Sequence, residues 1–430
     1  MRSLRSCAEA RYDLFVVRAP YVVLAVAACA APPRAPIAAD PPDVHTDQTR
    51  HYAIWLGGAR VGTAIEAETW SSSGVHLERT ERMHFLRGDT DVELATTIAI
   101  DADLGLVAHR VHWVEAANGL QHTGDAIQDD GAWRSNVPGV AIAAGAVPAE
   151  LVPLIVRRDG HFAGLVFLPA RNFTGGRGRI DAVAPDRMIA RLDLDGGLLA
   201  EATIDRAADG MPARVVDGEG VIALRITEAQ ARLPFAATDL VAATAVPITG
   251  HRGHRLVLDG DLVVPALPGQ ATTVAVAGVS IELGAHLPGA LPAPPSFGAE
   301  PDRGAEIRGL VANVRARITP DLAATPTSSR DADATTAGDC TTFALAYTAL
   351  ASRRGIPTRV VTGLRVDGDR LVRHRWAVSW TGRAWIAVDA AFGAVPAGGD
   401  LVGLAISDAD DAGLVAGEAA LTHVRAATWN

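Results

Sequence analysis

The chain has 430 residues, a net charge of −10 and three cysteines, and all 39 of its basic side chains are arginine. Without a lysine amine there is no Walker-type phosphate loop, no Schiff-base chemistry and no protein kinase. The acidic balance, the lack of a basic block and an aromatic content of 5% argue against nucleic acid as a partner, while 49% apolar residues give ample core for two to four domains.

Residues 1–28 read as an export signal. Arg2, Arg5, Arg11 and Arg18 precede an apolar run at 19–28 that is too short to stay in a bilayer as a spanning helix. The run ends Val26-Ala27-Ala28-Cys29, which resembles a bacterial lipobox, so Cys29 is the expected lipidation site. The expected location is the periplasm or the outer membrane, with the membrane touched only through this anchor. Cleavage would remove Cys7 and commit Cys29 to lipid, leaving Cys340 as a lone thiol. In an exported protein such a thiol is either buried and inert or kept for its reactivity.

A proline-rich tether follows at 29–49. Alternating runs such as 52–56, 92–98 and 188–194, separated by glycine and aspartate turns, predict antiparallel sheet in a β-rich domain at 50–238. Strands at 256–264 and 272–283 predict a small β module at 239–286. Pro288, Pro292, Pro294, Pro295 and Pro301 mark a linker at 287–302. The last domain is expected at 303–430. It opens with Ile307, Leu310, Val311, Val314 and Ile318 at helical spacing, in a helix stopped before Pro320.

A second helix is predicted from Cys340. Asp339 is a good N-cap, Phe343, Leu345, Tyr347, Ala349 and Leu350 supply apolar faces, and Gly355 and Pro357 end it. A cysteine in the first helical turn sits where unsatisfied N–H groups and the helix dipole favour a thiolate. Asp339 opposes this if its carboxylate caps the same turn.

Three strands are predicted next, at 358–366, 371–380 and 383–390. With Thr381-Gly382 as a two-residue loop, Trp380 faces Arg383, Val378 faces Trp385, Trp376 faces Ala387 and His374 faces Asp389. Directly opposed side chains share a sheet face with Cβ atoms roughly 4.5–5.5 Å apart. A carboxylate then reaches one imidazole nitrogen, and the other nitrogen can face Cys340. Thiol, imidazole and carboxylate in this relation are the parts of papain-like chemistry, so Cys340, His374 and Asp389 are the candidate catalytic residues. Trp376 and Trp385 are expected either to pack the hairpin or to wall a substrate groove. His423, the other histidine after Cys340, has no strand-paired carboxylate. His109 with His112, and His251 with His254, lack a third ligand, so no metal and no cofactor is expected.

These residues resemble the transglutaminase-like superfamily, a branch of the papain-like fold. The resemblance lies in Gly338-Asp339-Cys340, in Arg354-Gly355-Ile356-Pro357-Thr358-Arg359, in His374-Arg375-Trp376 and in Trp385-Ile386-Ala387-Val388-Asp389. It covers about residues 303 to 400. Two positions depart from the family pattern: Arg375 replaces a small residue, and Asp389-Ala390-Ala391 stands where Asp-Pro-Thr is common. The resemblance implies an α+β catalytic domain, with the cysteine helix packed on an antiparallel sheet that bears the histidine and aspartate. It also implies cysteine-dependent amide hydrolysis or acyl transfer on a protein or peptide substrate. A transglutaminating enzyme joins glutamine to a lysine amine, and a chain with no such amine of its own favours hydrolysis over crosslinking. The competing expectation is a non-catalytic envelope module in which the β-rich region binds a partner and the triad is vestigial.

Overall fold

The computed structural model describes residues 45–430 except 118–119, 195–197, 219, 261, 276–277, 296–301, 323 and 325–334. The expected export signal, the lipidation site Cys29 and the tether through residue 44 lie outside the described residues. Among the described residues, no helix is long and apolar enough to cross a membrane.

The chain is rich in β-structure. Fourteen described strands between Gln48 and Ile226 form one sheet made of two meanders. One runs from Gln48–Leu56 out to Ala132–Ser135. The other runs from Phe162–Leu168 to Ile222–Ile226, with Val147–Pro148 added parallel to its outer strand, and the two meet where His51 to Trp55 pair antiparallel with Ile226 to Ile222. Tight hairpins follow from local chemistry. Gly57 and Gly58 both hold positive φ at the first turn, as do Asp130 and Gly131 before Ala132–Ser135, which is what two-residue turns matching strand twist require.

The helix Val152–Asp159 lies between the meanders. Leu151 and Leu154 join a core with Ile100, Val111, Trp113 and Phe167, while Val152 and Val156 pack on Phe162, Val166 and Ile180. Apolar side chains on opposite sides of one short helix oblige the sheet to curl around it. Inside the curl Arg50 is 1% exposed. It is held by Glu66 at 3.3 Å and by Glu68, which also takes Arg157 at 2.8 Å. Charges buried this deeply persist only when paired.

A second sheet of nine described strands carries most of the rest, and Thr319–Pro320 pairs parallel with Ala337–Gly338 apart from it. Its order is Gln270–Ala275, Gly278–Leu283, Arg255–Gly260, Val424–Trp429, Val246–Thr249, Arg370–Trp380, Thr358–Asp367 and Leu401–Ser407, with Trp385–Val388 also paired to Arg370–Trp380. The expected separate module at 239–286 is therefore part of this sheet. The reason is burial: Leu256, Leu258 and Ile281 share one core with Leu364, Leu371, Val402 and Trp429. A few short strands alone could not cover those side chains. The expected linker at 287–302, described through residue 295 and again at 302, folds back on the sheet. Ala290 N donates to Ala266 O and Trp385 Nε1 donates to Pro292 O, each at 2.9 Å.

Candidate active site

The cysteine helix is Cys340–Arg353, with Asp339 as its N-cap. Asp339 Oδ1 accepts from Thr341 N at 2.9 Å and from Thr342 N at 3.3 Å. Gly338 allows the chain to enter, since a Cβ there would run into the Thr342 side chain. The helix is seated by apolar contact of Phe343 and Tyr347 with Ile307, Val311, Ala377 and Val388, and by a 2.8 Å hydrogen bond between Tyr347 Oη and Ser379 Oγ. This stacks Cys340–Arg353 between the helix Gly304–Arg317 and the strand Arg370–Trp380.

The hairpin after that strand differs from the expected one. Trp380 pairs with Trp385, Val378 with Ala387 and Ala377 with Val388, so the loop has four residues instead of two. Thr381 explains the longer loop. Its Oγ1 accepts from Arg383 N at 3.3 Å and Ala384 N at 3.1 Å, and its N donates to Ala384 O at 2.9 Å. The register thus moves by two residues, and a two-residue shift keeps every side chain on its face. Asp389 leaves the end of Trp385–Val388 diagonal to His374, and the two still meet: His374 Nε2 lies 2.8 Å from Asp389 Oδ2.

Both groups are almost fully enclosed, at 6% and 2% exposure. Asp389 Oδ1 accepts from Ala391 N at 3.1 Å and Phe392 N at 3.2 Å, and its backbone exchanges two 3.0 Å bonds with Ala394. The loop therefore holds its shape without the Asp-Pro-Thr sequence. The His374 ring stacks on Trp376 at 5.9 Å and meets the edge of Phe392 at 5.5 Å. Burial alone would push this imidazole down. Donation to Asp389 and the neighbouring Cys340, with the charges of both, outweigh burial and push it up to about 10.

Cys340 is partly exposed and lies beside the same imidazole, close enough to help raise it. With Nε2 committed to Asp389, Nδ1 is the nitrogen left for the sulfur. The thiol opens into a cleft of about 200 Å³ lined by His374, Arg373, Arg375 and Glu418 on one side and by Leu56 and Arg87 of the large sheet on another. Arg375 is buried and reaches Thr362 Oγ1 and Thr341 Oγ1 at 3.1 Å each and Glu418 Oε1 at 2.7 Å. It braces the residue after the cysteine, a contribution that the sequence does not announce.

The other candidates do not line the cleft. Trp376 is 2% exposed and packs with Leu267, Val361 and Ala387. Trp385 lines a separate cavity of about 440 Å³ with Trp380 and Pro288. His423 is exposed and takes no part in the cleft. His112 pairs with Asp125 at 2.8 Å, and His109, His251 and His254 are exposed. Arg87 and Glu418 went unrecognised from sequence, because neither stands near a motif that would single it out.

Residues 296–390 match the family model of the transglutaminase-like superfamily. No curated protein matches the chain. Among solved structures, the chain is similar to the crystal structure of a beta-barrel-like protein of the domain of unknown function DUF1849 from Brucella abortus. That likeness has 11% identity and a TM-score of 0.29 over 43% of this chain and 97% of that one, too weak to assign a fold. The segment that brings Cys340, His374 and Asp389 together belongs, by its sequence, to the transglutaminase-like superfamily.

Proposed function

We propose that the protein is a cysteine-dependent amide hydrolase with latent acyl-transfer ability, acting on protein or peptide substrates through Cys340, His374 and Asp389. One observation carries the reading: a single buried imidazole bonds Asp389 at 2.8 Å on Nε2 and lines the same cleft as Cys340, which helps hold its proton.

The steps follow from the atoms. Cys340 Sγ attacks the amide carbonyl carbon, and the backbone N–H of Cys340 donates to the developing oxyanion. Collapse breaks the C–N bond, and the amine leaves with the proton held on His374 Nδ1. The acyl group remains as a thioester on Cys340. His374 then takes a proton from water, the hydroxide displaces the thiol, and the product is a carboxylic acid. Asp389 fixes the ring orientation and stabilises its cationic form throughout.

Water is the proposed acceptor, since the chain carries no lysine amine of its own. Export through the leader at 1–28, with anchoring at Cys29, is part of the same proposal and places the substrate in the cell envelope. The test is deamidation or cleavage of a glutamine-rich protein with no amine added, followed by mass spectrometry, in the native chain and in Cys340→Ala. Product from the native chain alone supports the reading. Strict dependence of turnover on an added amine would overturn hydrolysis in favour of transfer, and equal silence of both chains would leave a binding module.

A further inference from the structure

Asp339 poses an electrostatic problem for Cys340. Its carboxylate caps the helix end whose N–H groups would otherwise favour a thiolate one residue later. An uncompensated negative charge there works against the nucleophile. The compensation comes from the other sheet. Arg87 Nη1 lies 2.9 Å from Asp339 Oδ2, with the carboxylate side chain only 9% exposed. The two Asp339 oxygens thus divide their work, Oδ1 on the helix N–H groups and Oδ2 on a guanidinium 252 residues distant in sequence.

Arg87 is held in place. It ends the strand Gly74–Arg87, at a hairpin whose tip is pinned by Leu86 N to Thr238 O and by Gly88 N to Asp239 Oδ1, each at 2.9 Å. The same region of the molecule supplies Leu56, Leu240 and Val241 to the cleft wall. Other charges described around Cys340 have partners as well. His374 has Asp389, and Glu418 has Arg375 at 2.7 Å and Arg373 at 3.4 Å. Asp339 takes a cation from the large sheet.

We propose that Arg87 is a positioning residue for catalysis: by neutralising Asp339 it lets Cys340 act as a thiolate beside His374, which makes the N-terminal sheet a working part of the active site. This rests on the cysteine-enzyme reading above and goes beyond it, because it assigns a catalytic contribution to the part of the chain outside the family match.

The experiment is the rate of Cys340 alkylation by iodoacetamide in the full chain between pH 5 and 9, with Cys340→Ser as the blank. Arg87→Gln is expected to slow labelling roughly tenfold at pH 6, with the gap closing towards pH 9, because a charge effect moves the pH profile whereas loss of fold lowers it everywhere. Arg87→Lys keeps most of the rate. The double variant Arg87→Gln with Asp339→Asn restores it, since asparagine preserves the cap and removes the charge. Slowing by the same factor at every pH, or a double variant as slow as Arg87→Gln, overturns the proposal. Fast labelling of the native chain that Arg87→Gln leaves untouched overturns this inference alone. Labelling of the native chain no faster than free cysteine sinks the cysteine-enzyme reading itself.

Discussion

Burial and partnership pull His374 in opposite directions, and partnership prevails. The imidazole is enclosed yet held up at about 10 by Asp389 and Cys340. An unfolded histidine titrates near ~6.5. Below that value both states carry the proton, and the stabilising contribution of the pair is fully present. It is lost as pH rises through about 10, where the folded imidazole gives its proton up. The alkaline limb of kcat/KM is therefore expected near pH 10, far above an ordinary histidine limb. Asp389→Asn removes the strongest support, so it should bring that limb down and lower kcat/KM by on the order of 10²–10⁴-fold. A profile measured from pH 5 to 11 in both chains decides this, and an unmoved limb would show that Asp389 is not what holds the proton.

Two elements show how local chemistry and packing share control. The cysteine helix was legible because its signals are local: Asp339 before it, and Gly355 at φ 65 with Pro357 behind it. The strands around it were equally legible from β-branched runs and turns. The hairpin register was not, because the loop is set by the Thr381 hydroxyl closing on two backbone N–H groups. The two-residue error left His374 and Asp389 on speaking terms only because the pleat repeats every two residues. Thr381→Val removes that buried acceptor from the turn and is expected to cost about 1–3 kcal/mol in chemical denaturation. Glu150 offers a second test in the large sheet, in the turn Ala149–Leu151. Burial pushes this carboxyl up to about 7 against the pull of Arg79, and its Oε2 is shielded from solvent with no hydrogen-bond partner. A raised carboxyl favours the folded state at low pH, and that advantage fades as pH climbs from the ordinary carboxylate range through about 7. Glu150→Gln should therefore raise Tm at pH 8 and leave it nearly unchanged at pH 4.5. An equal shift at both values would locate the effect in packing.

At the scale of the whole molecule, sequence patterns revealed strands but not their partners. Nothing in 239–286 says that Val246–Thr249 will pair with both Arg370–Trp380 and Val424–Trp429. Nothing near Arg87 points to residue 339. Such contacts are paid for by the fold as a whole and leave no periodicity behind. A fragment limited to 303–430 would expose Leu364, Leu371, Val402 and Trp429, which are covered by Leu256, Leu258 and Ile281. Its expected behaviour is aggregation or loss of near-ultraviolet circular dichroism, while a fragment from 239 onwards keeps that core. A well-folded 303–430 would mean that the second sheet is less unified than its pairing implies.

The strand Val424–Trp429 has a consequence for timing. It lies inside the second sheet, antiparallel to Arg255–Gly260 and parallel to Val246–Thr249, which in turn borders the histidine strand. A ribosome makes this strand after Cys340, His374 and Asp389. The three side chains are thus all present in a nascent chain whose central support has not yet arrived. On the proposed function, the three side chains gain their fixed arrangement only once this late strand has joined the sheet.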